Sequence, residues 1–139
     1  IEMWPAPLMD AIAGPSISII HDFIPQHLGN TAWAFARSNV VNAPMMDAIA
    51  AASIAMMRDC DQQEISNIFW AFAKLQYVHR PLMDALSSTS VTNINFNPQG
   101  LSNLAWSCAV MQFRPEPLLA AISEMSQSRI SAFTEQNIA

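Results

Sequence analysis

Apolar residues recur at Met45, Ala48, Ile49, Ala52 and Met56, and again at Ile65, Ile68, Phe69 and Phe72. Both sets step mostly by three or four residues, the interval that keeps one face of an α-helix against a core. Pro44 opens the first set, as proline does at a first helical position. Asp47 falls where the dipole of a helix start favours a carboxylate. Asp61 precedes the second set as an N-cap, and Glu64 completes a capping box with it. Asn97 takes the same place ahead of Pro98. Nothing alternates at period two for long, so strands are not expected. The pattern predicts two kinds of helix, B and A, in alternation: B 7–21, A 25–37, B 44–58, A 62–74, B 81–93, A 98–111, B 117–131, and the first residues of another A.

The alternation is a repeat. Asn30-Thr-Ala-Trp33-Ala-Phe-Ala-Arg37 returns as Asn67-Ile-Phe-Trp70-Ala-Phe-Ala-Lys74 and as Asn103-Leu-Ala-Trp106-Ser-Cys-Ala-Val110, with the tryptophans 37 and 36 residues apart. A second phrase keeps the same beat from Pro7, Pro44, Pro81 and Pro117. Fixed periods of this length mark stacked units. The expectation is an all-α, right-handed α-solenoid of helix-turn-helix repeats with a 36–37-residue period. Residues 1–139 read as one array, a fragment of a longer one, with repeats at 1–22 (partial), 23–59, 60–95, 96–132 and 133–139 (partial). Two copies depart from the pattern. Gly14-Pro15 inside the first B segment predicts a kink or two short turns, because proline removes a backbone hydrogen bond. The third unit is one residue shorter, and Ser87-Ser-Thr-Ser-Val-Thr92 has poor helix propensity, so that helix is expected to be the weakest.

A solenoid moves the functional question from a cleft to an extended surface. With Leu28 at the centre of the buried face, the rotation of about 100° per residue puts Gln26, Asn30 and Arg37 opposite. The same line is Gln63, Asn67, Lys74 in the next unit and Gln99, Asn103, Val110 in the third. Carboxamides offer donors and acceptors to base edges, and a cation suits phosphate. The same residues also have structural readings. The Asn column can bridge repeats through buried hydrogen bonds, the Gln column can cap helices, and Arg37 and Lys74 can be solvated helix-end charges. Trp33, Trp70 and Trp106 sit at the edge of the line beside small residues, which predicts packing into the neighbouring repeat.

Composition narrows the classes. The chain is 52% hydrophobic and 12% charged, which suits units that bury surface on two sides and excludes disorder. No apolar run approaches the ~18 residues of a membrane span. The net charge of −5 opposes nucleic-acid binding. The charges are segregated, however: A helices carry Arg37 and Lys74 with Glu64 as their one acid, while B helices and their flanks carry Asp10, Asp47, Asp84, Glu116 and Glu124. Cys60 and Cys108 occupy columns held elsewhere by phenylalanine, so they read as buried free thiols without disulfide or zinc spacing. His21, His27 and His79 fall in different columns, and no nucleotide, hydrolase or metalloprotease motif occurs. The Asp10, Asp47, Asp84 column reads as a helix-start preference. No catalytic residue, metal site or cofactor is expected, and the chain reads as not an enzyme.

The phrases from Pro25 to Arg37 and from Asp61 to Leu75 resemble the octatricopeptide repeat family, and are similar to the helical repeats of FAST-kinase-like and RAP-domain proteins. The resemblance covers nearly the whole chain. It implies an α-solenoid that binds single-stranded RNA in chloroplasts or mitochondria and acts in transcript stabilisation, processing, splicing or translation, alone or in a ribonucleoprotein complex. By analogy with modular readers, each repeat would address about one base. Carried onto this chain, the RNA-binding residues are Gln26, Asn30, Arg37, Gln63, Asn67, Lys74, Gln99 and Asn103, with His27 and Glu64 as tuning neighbours. Val110 breaks the cation column. The rival reading is a protein-binding scaffold on the same curved surface, favoured by the acidic balance and by the Met-rich B helices, since methionine adapts to varied partners. A plain spacer between other domains is the third.

Overall fold

The computed structural model describes residues 5–92 and 95–138, with side chains through 131. Seven α-helices follow one another: α1 (Ala6–Ser18), α2 (Pro25–Arg37), α3 (Ala43–Ala55), α4 (Gln62–Lys74), α5 (Arg80–Thr92), α6 (Pro98–Val110) and α7 (Glu116–Ile138). Short 3-10 turns, Ile20–Asp22 and Met57–Asp59, follow α1 and α3. Among the described residues there is no strand, and the all-α expectation holds.

The even-numbered helices form one row and the odd-numbered helices a second. Successive helices of the even row pack along their lengths, while those of the odd row touch more loosely. Small side chains permit the close approach. Gly29 and Ala36 of α2 are buried on the side toward α4, and Ser66 and Ala73 of α4 on the side toward α6. The same columns on α6, Ser102 and Ala109, are exposed. Between the rows lies a continuous core in which Phe35, Phe69, Phe72, Phe96, Ile65 and Ile68 have almost no exposed surface. Cys60 and Cys108 are buried free thiols within it, as their columns predict. Burial, with Glu64, Asp59 and Asp61 nearby, pushes the Cys60 thiol up to about 11, and burial alone does the same for Cys108. Both are inert as thiolates at neutral pH.

Four local features depart from the sequence reading. First, α1 runs as one helix through Gly14 and Pro15, not as two short turns. The 3-10 turn that follows it recurs after α3, which has no internal proline, so that break belongs to the repeat. Second, α5 forms over Arg80–Thr92 despite its serines and threonines. Leu82, Met83 and Leu86 are buried, and the Ser90 hydroxyl donates to the Leu86 carbonyl at 2.7 Å. Tertiary burial outweighs a deficit of a few tenths of a kcal/mol per residue. Third, α7 continues past 133, where another repeat is expected to begin. No proline or glycine after Pro117 interrupts it. Fourth, α3 begins at Ala43, which places Asp47 beyond its first turn. Residues 1–4 of the first partial repeat, the predicted helix end at 93, and residue 139 lie outside the described residues.

The aspartate column has a bracing role. Asn42 Nδ2 donates to Asp10 Oδ1 at 2.9 Å, and Tyr77 Oη donates to Asp47 Oδ1 at 2.8 Å. Asp10 and Asp47 thus each hold the turn that opens the next odd helix, and the Asp47 contact raises the Tyr77 phenol above its ordinary value. The methionines behave similarly. Met45, Met46 and Met83 are fully buried, and Met9 and Met57 nearly so, and these fill the core, while Met56, Met111 and Met125 are half-buried.

Each helix of the even row ends the same way. Asn39, Gln76 and Gln112 adopt φ of 54°, 52° and 51°. The next residue then donates back to the helix: Val40 N to the Phe35 carbonyl at 3.0 Å, Tyr77 N to Phe72 at 2.9 Å, and Phe113 N to Cys108 at 2.9 Å. This is the Schellman arrangement, in which a left-handed residue satisfies the last carbonyls and drops an apolar side chain onto the helix. A glutamine Cβ is strained there. Gln76→Gly is therefore expected to stabilise the protein by about 0.5–1 kcal/mol, after allowing for the greater freedom of glycine in the unfolded chain. A shift of the urea midpoint to higher concentration checks it, and a lower midpoint contradicts it.

Candidate nucleic-acid interface

Along each helix of the even row, four positions step by four, three and four residues: 26, 30, 33, 37; then 63, 67, 70, 74; then 99, 103, 106, 110. That spacing keeps them within one stripe of a helix. Because the rows pack through small residues, the three stripes lie side by side. Gln26, Asn30, Arg37, Gln63, Lys74 and Gln99 are exposed, and Asn67 and Asn103 are half-buried.

Among the described residues the side chains of Asn30, Asn67 and Asn103 make no hydrogen bond, nor do those of Gln26, Gln63 and Gln99. The bridging reading of the Asn column and the capping reading of the Gln column thus lack any partner. Capping is done elsewhere. Asp61 Oδ1 accepts from the Gln63 and Glu64 N–H groups at 2.8 and 3.1 Å, and Asn97 Oδ1 accepts from Gly100 N at 2.7 Å. Lys74 makes no ion pair among the described residues, whereas the Arg37 guanidinium lies over the Trp33 ring, 5.5 Å from its centroid. Val110 is half-buried in the third stripe.

His27 and Glu64 occupy the same helical position, and both reach back to their helix start. Glu64 Oε2 accepts from Asp61 N at 2.9 Å, the predicted capping box, and His27 Nδ1 accepts from Ile24 N at 3.4 Å. Partial burial, then the hydrogen bond to Asp61, raises the Glu64 carboxyl above its ordinary range, while that same hydrogen bond lowers Asp61.

The tryptophans divide. Trp70 is half-buried against the core and leans on Trp106 across the repeat boundary, with ring centroids 6.4 Å apart and planes at 31°, as packing into the neighbouring repeat predicts. Trp33 and Trp106 are 38% and 42% exposed, and all three stand in the stripe itself, between the Asn column and the last position. The signal was present in the four-three-four spacing, which puts Trp33 within about 20° of Gln26.

An open groove lies between α4 and α6. It encloses about 360 Å³ and is lined by Asp61, Gln62, Gln63, Ser66 and Asn67 on one side and Asn97, Gln99, Gly100 and Asn103 on the other. Four of the predicted residues, Gln63, Asn67, Gln99 and Asn103, meet there. Gln26, Asn30 and Arg37 belong to the first stripe, and Lys74 lies at the far end of the second. The remaining cations are off the stripes: Arg80 over the Phe113 ring at 5.7 Å, Arg129 donating to the Phe96 carbonyl, and Arg58 and Arg114 in separate surface clefts. The described residues contain no cluster of three or more metal-ligating side chains and no helix long and apolar enough to cross a membrane.

Stacked helices that expose a ladder of carboxamides without hydrogen-bond partners, tryptophans and terminal cations define an all-α, helical-repeat-like protein with one polar face. Residues 6–137 match the model of a family described as RNA-editing substrate-binding complex 6 protein, and the chain belongs to that family. By that description it is an RNA-associated family. A search of curated proteins found no match.

Proposed function

We propose that this chain is a non-catalytic, sequence-selective binder of single-stranded RNA, working within an RNA-editing or RNA-processing complex. One observation carries the reading: the carboxamides of Gln63, Asn67, Gln99 and Asn103 converge on an open groove with no intramolecular hydrogen-bond partner. These amides are exposed or half-buried in the groove and free to pair with an incoming group, and nucleobase edges pair with carboxamides. Lys74 and Arg37, at the ends of their stripes, are placed for phosphates, and the exposed Trp33 and Trp106 rings offer faces on which bases stack. The family description supports an RNA-editing assembly with other proteins. The repeat phrases, by their likeness to octatricopeptide proteins, support action in a chloroplast or mitochondrion.

The deciding experiment is binding of the protein to a randomised single-stranded RNA pool at two salt concentrations. Enrichment of a short motif, with affinity falling as salt rises, is the expected result. No retention at low salt by folded protein would refute it and favour the scaffold reading, for which the acidic balance and the exposed tryptophans remain as support.

A further inference from the structure

The groove between α4 and α6 differs from its neighbour most consequentially at the position after the column glutamine. Between α2 and α4 that position is Glu64, whose Cγ lies 3.6 Å from where a Cβ on Gly29 would stand. Between α4 and α6 it is Gly100, where a Cβ would come within 3.1 Å of Ser66 Oγ and 3.2 Å of Phe96 Cδ1. The glycine lets the helix starts approach and leaves no side chain in the groove. Ser66, on the wall, is 4% exposed, and its hydroxyl has no hydrogen-bond partner. Ser38 and Ser53 are unpaired in the same way outside the groove, so the pointer to a ligand here is the set of four carboxamides without partners on the groove. The lining holds no lysine or arginine and includes Asp61, so a phosphate is disfavoured. An uncharged planar group with donor and acceptor side by side fits.

We infer that this groove receives a single nucleobase, held jointly by Gln63 and Asn67 of one repeat and Gln99 and Asn103 of the next, with the phosphates outside. The inference rests on the RNA-binding reading and deepens it: here the unit of recognition is the junction between two repeats, and Gly100 opens it. The Trp70–Trp106 pair lies one turn further along the same helices, beyond the groove's lining.

The test uses the RNA enriched from the pool, synthesised with one abasic residue at each position in turn. With wild-type protein, one position loses affinity by tenfold or more. Asn67→Ala and Asn103→Ala, made separately, each abolish the penalty at that same position while leaving the salt slope unchanged. Gly100→Glu, which refills the groove as Glu64 fills its neighbour, does likewise; should it fail to fold by circular dichroism, the two asparagine variants decide. Penalties lost at two different nucleotides, or a reduced salt slope, would overturn the shared groove and leave the RNA-binding face standing. Failure of wild-type protein to retain any RNA would overturn both, and leave the carboxamides to a peptide.

Discussion

Phe72→Ala is expected to destabilise the protein by about 3–5 kcal/mol, the cost of removing a large aromatic side chain from a site that cannot collapse. Phe72 has no exposed surface and lies on the central helix of the even row, which packs against α2, α5 and α6. Its ring meets Tyr77 edge-on, with centroids 6.0 Å apart. Tyr77 in turn holds Asp47, so the void reaches the brace between repeats. In a stacked array each unit is stabilised largely by its neighbours, and a defect in the middle weakens both junctions. Urea unfolding with circular dichroism measures it. Cys108→Ala, in the same column of α6, removes much less volume and is expected to cost far less. A Phe72→Ala midpoint close to that of Cys108→Ala would show that the rows do not share one core.

The double variant Arg37→Ala, Lys74→Ala is expected to weaken binding of every RNA alike and to reduce the slope of log affinity against log salt by about 1.4, roughly 0.7 for each phosphate contact on a single strand. The two cations end their stripes and are exposed, so they can meet a backbone running across the helices. Arg37 also covers Trp33, a contact worth about 0.5–1 kcal/mol, so thermal stability is to be measured alongside. Asn67→Ala should behave oppositely, with loss at one base and an unchanged slope. A double variant with the wild-type slope would place the phosphates elsewhere, for example at Arg58 or Arg114.

Much of the fold was legible because a repeat states its periodicity several times. The caps at Asp61 and Asn97, the buried cysteines and the alternation of two helix types all follow from rules confined to one turn of helix or one column. The candidate site was legible as a line of residue types, and the chain's own spacing already put the tryptophans in that line. The neighbouring small residues drew the reading toward packing between repeats, which holds for Trp70 while Trp33 and Trp106 stay exposed. The methionine argument for a scaffold is narrowed for a similar reason: a residue type does not reveal whether its face is covered, and Met45, Met46 and Met83 are covered completely while Met56, Met111 and Met125 are covered in part.

By itself, then, the sequence determined the all-α class, the helix order and the stripe of Gln, Asn and cation, since each depends on hydrogen bonds and side-chain directions within a few residues. Only the tertiary structure decided which carboxamides meet. That depends on how closely two helices far apart in the chain approach, and the approach is set by pairs such as Gly29 with Glu64 and Ser66 with Gly100. It also decided the left-handed ends at Gln76 and Gln112, where satisfying the last carbonyls and burying Tyr77 and Phe113 against α4 and α6 outweighs a strain that local preference would avoid.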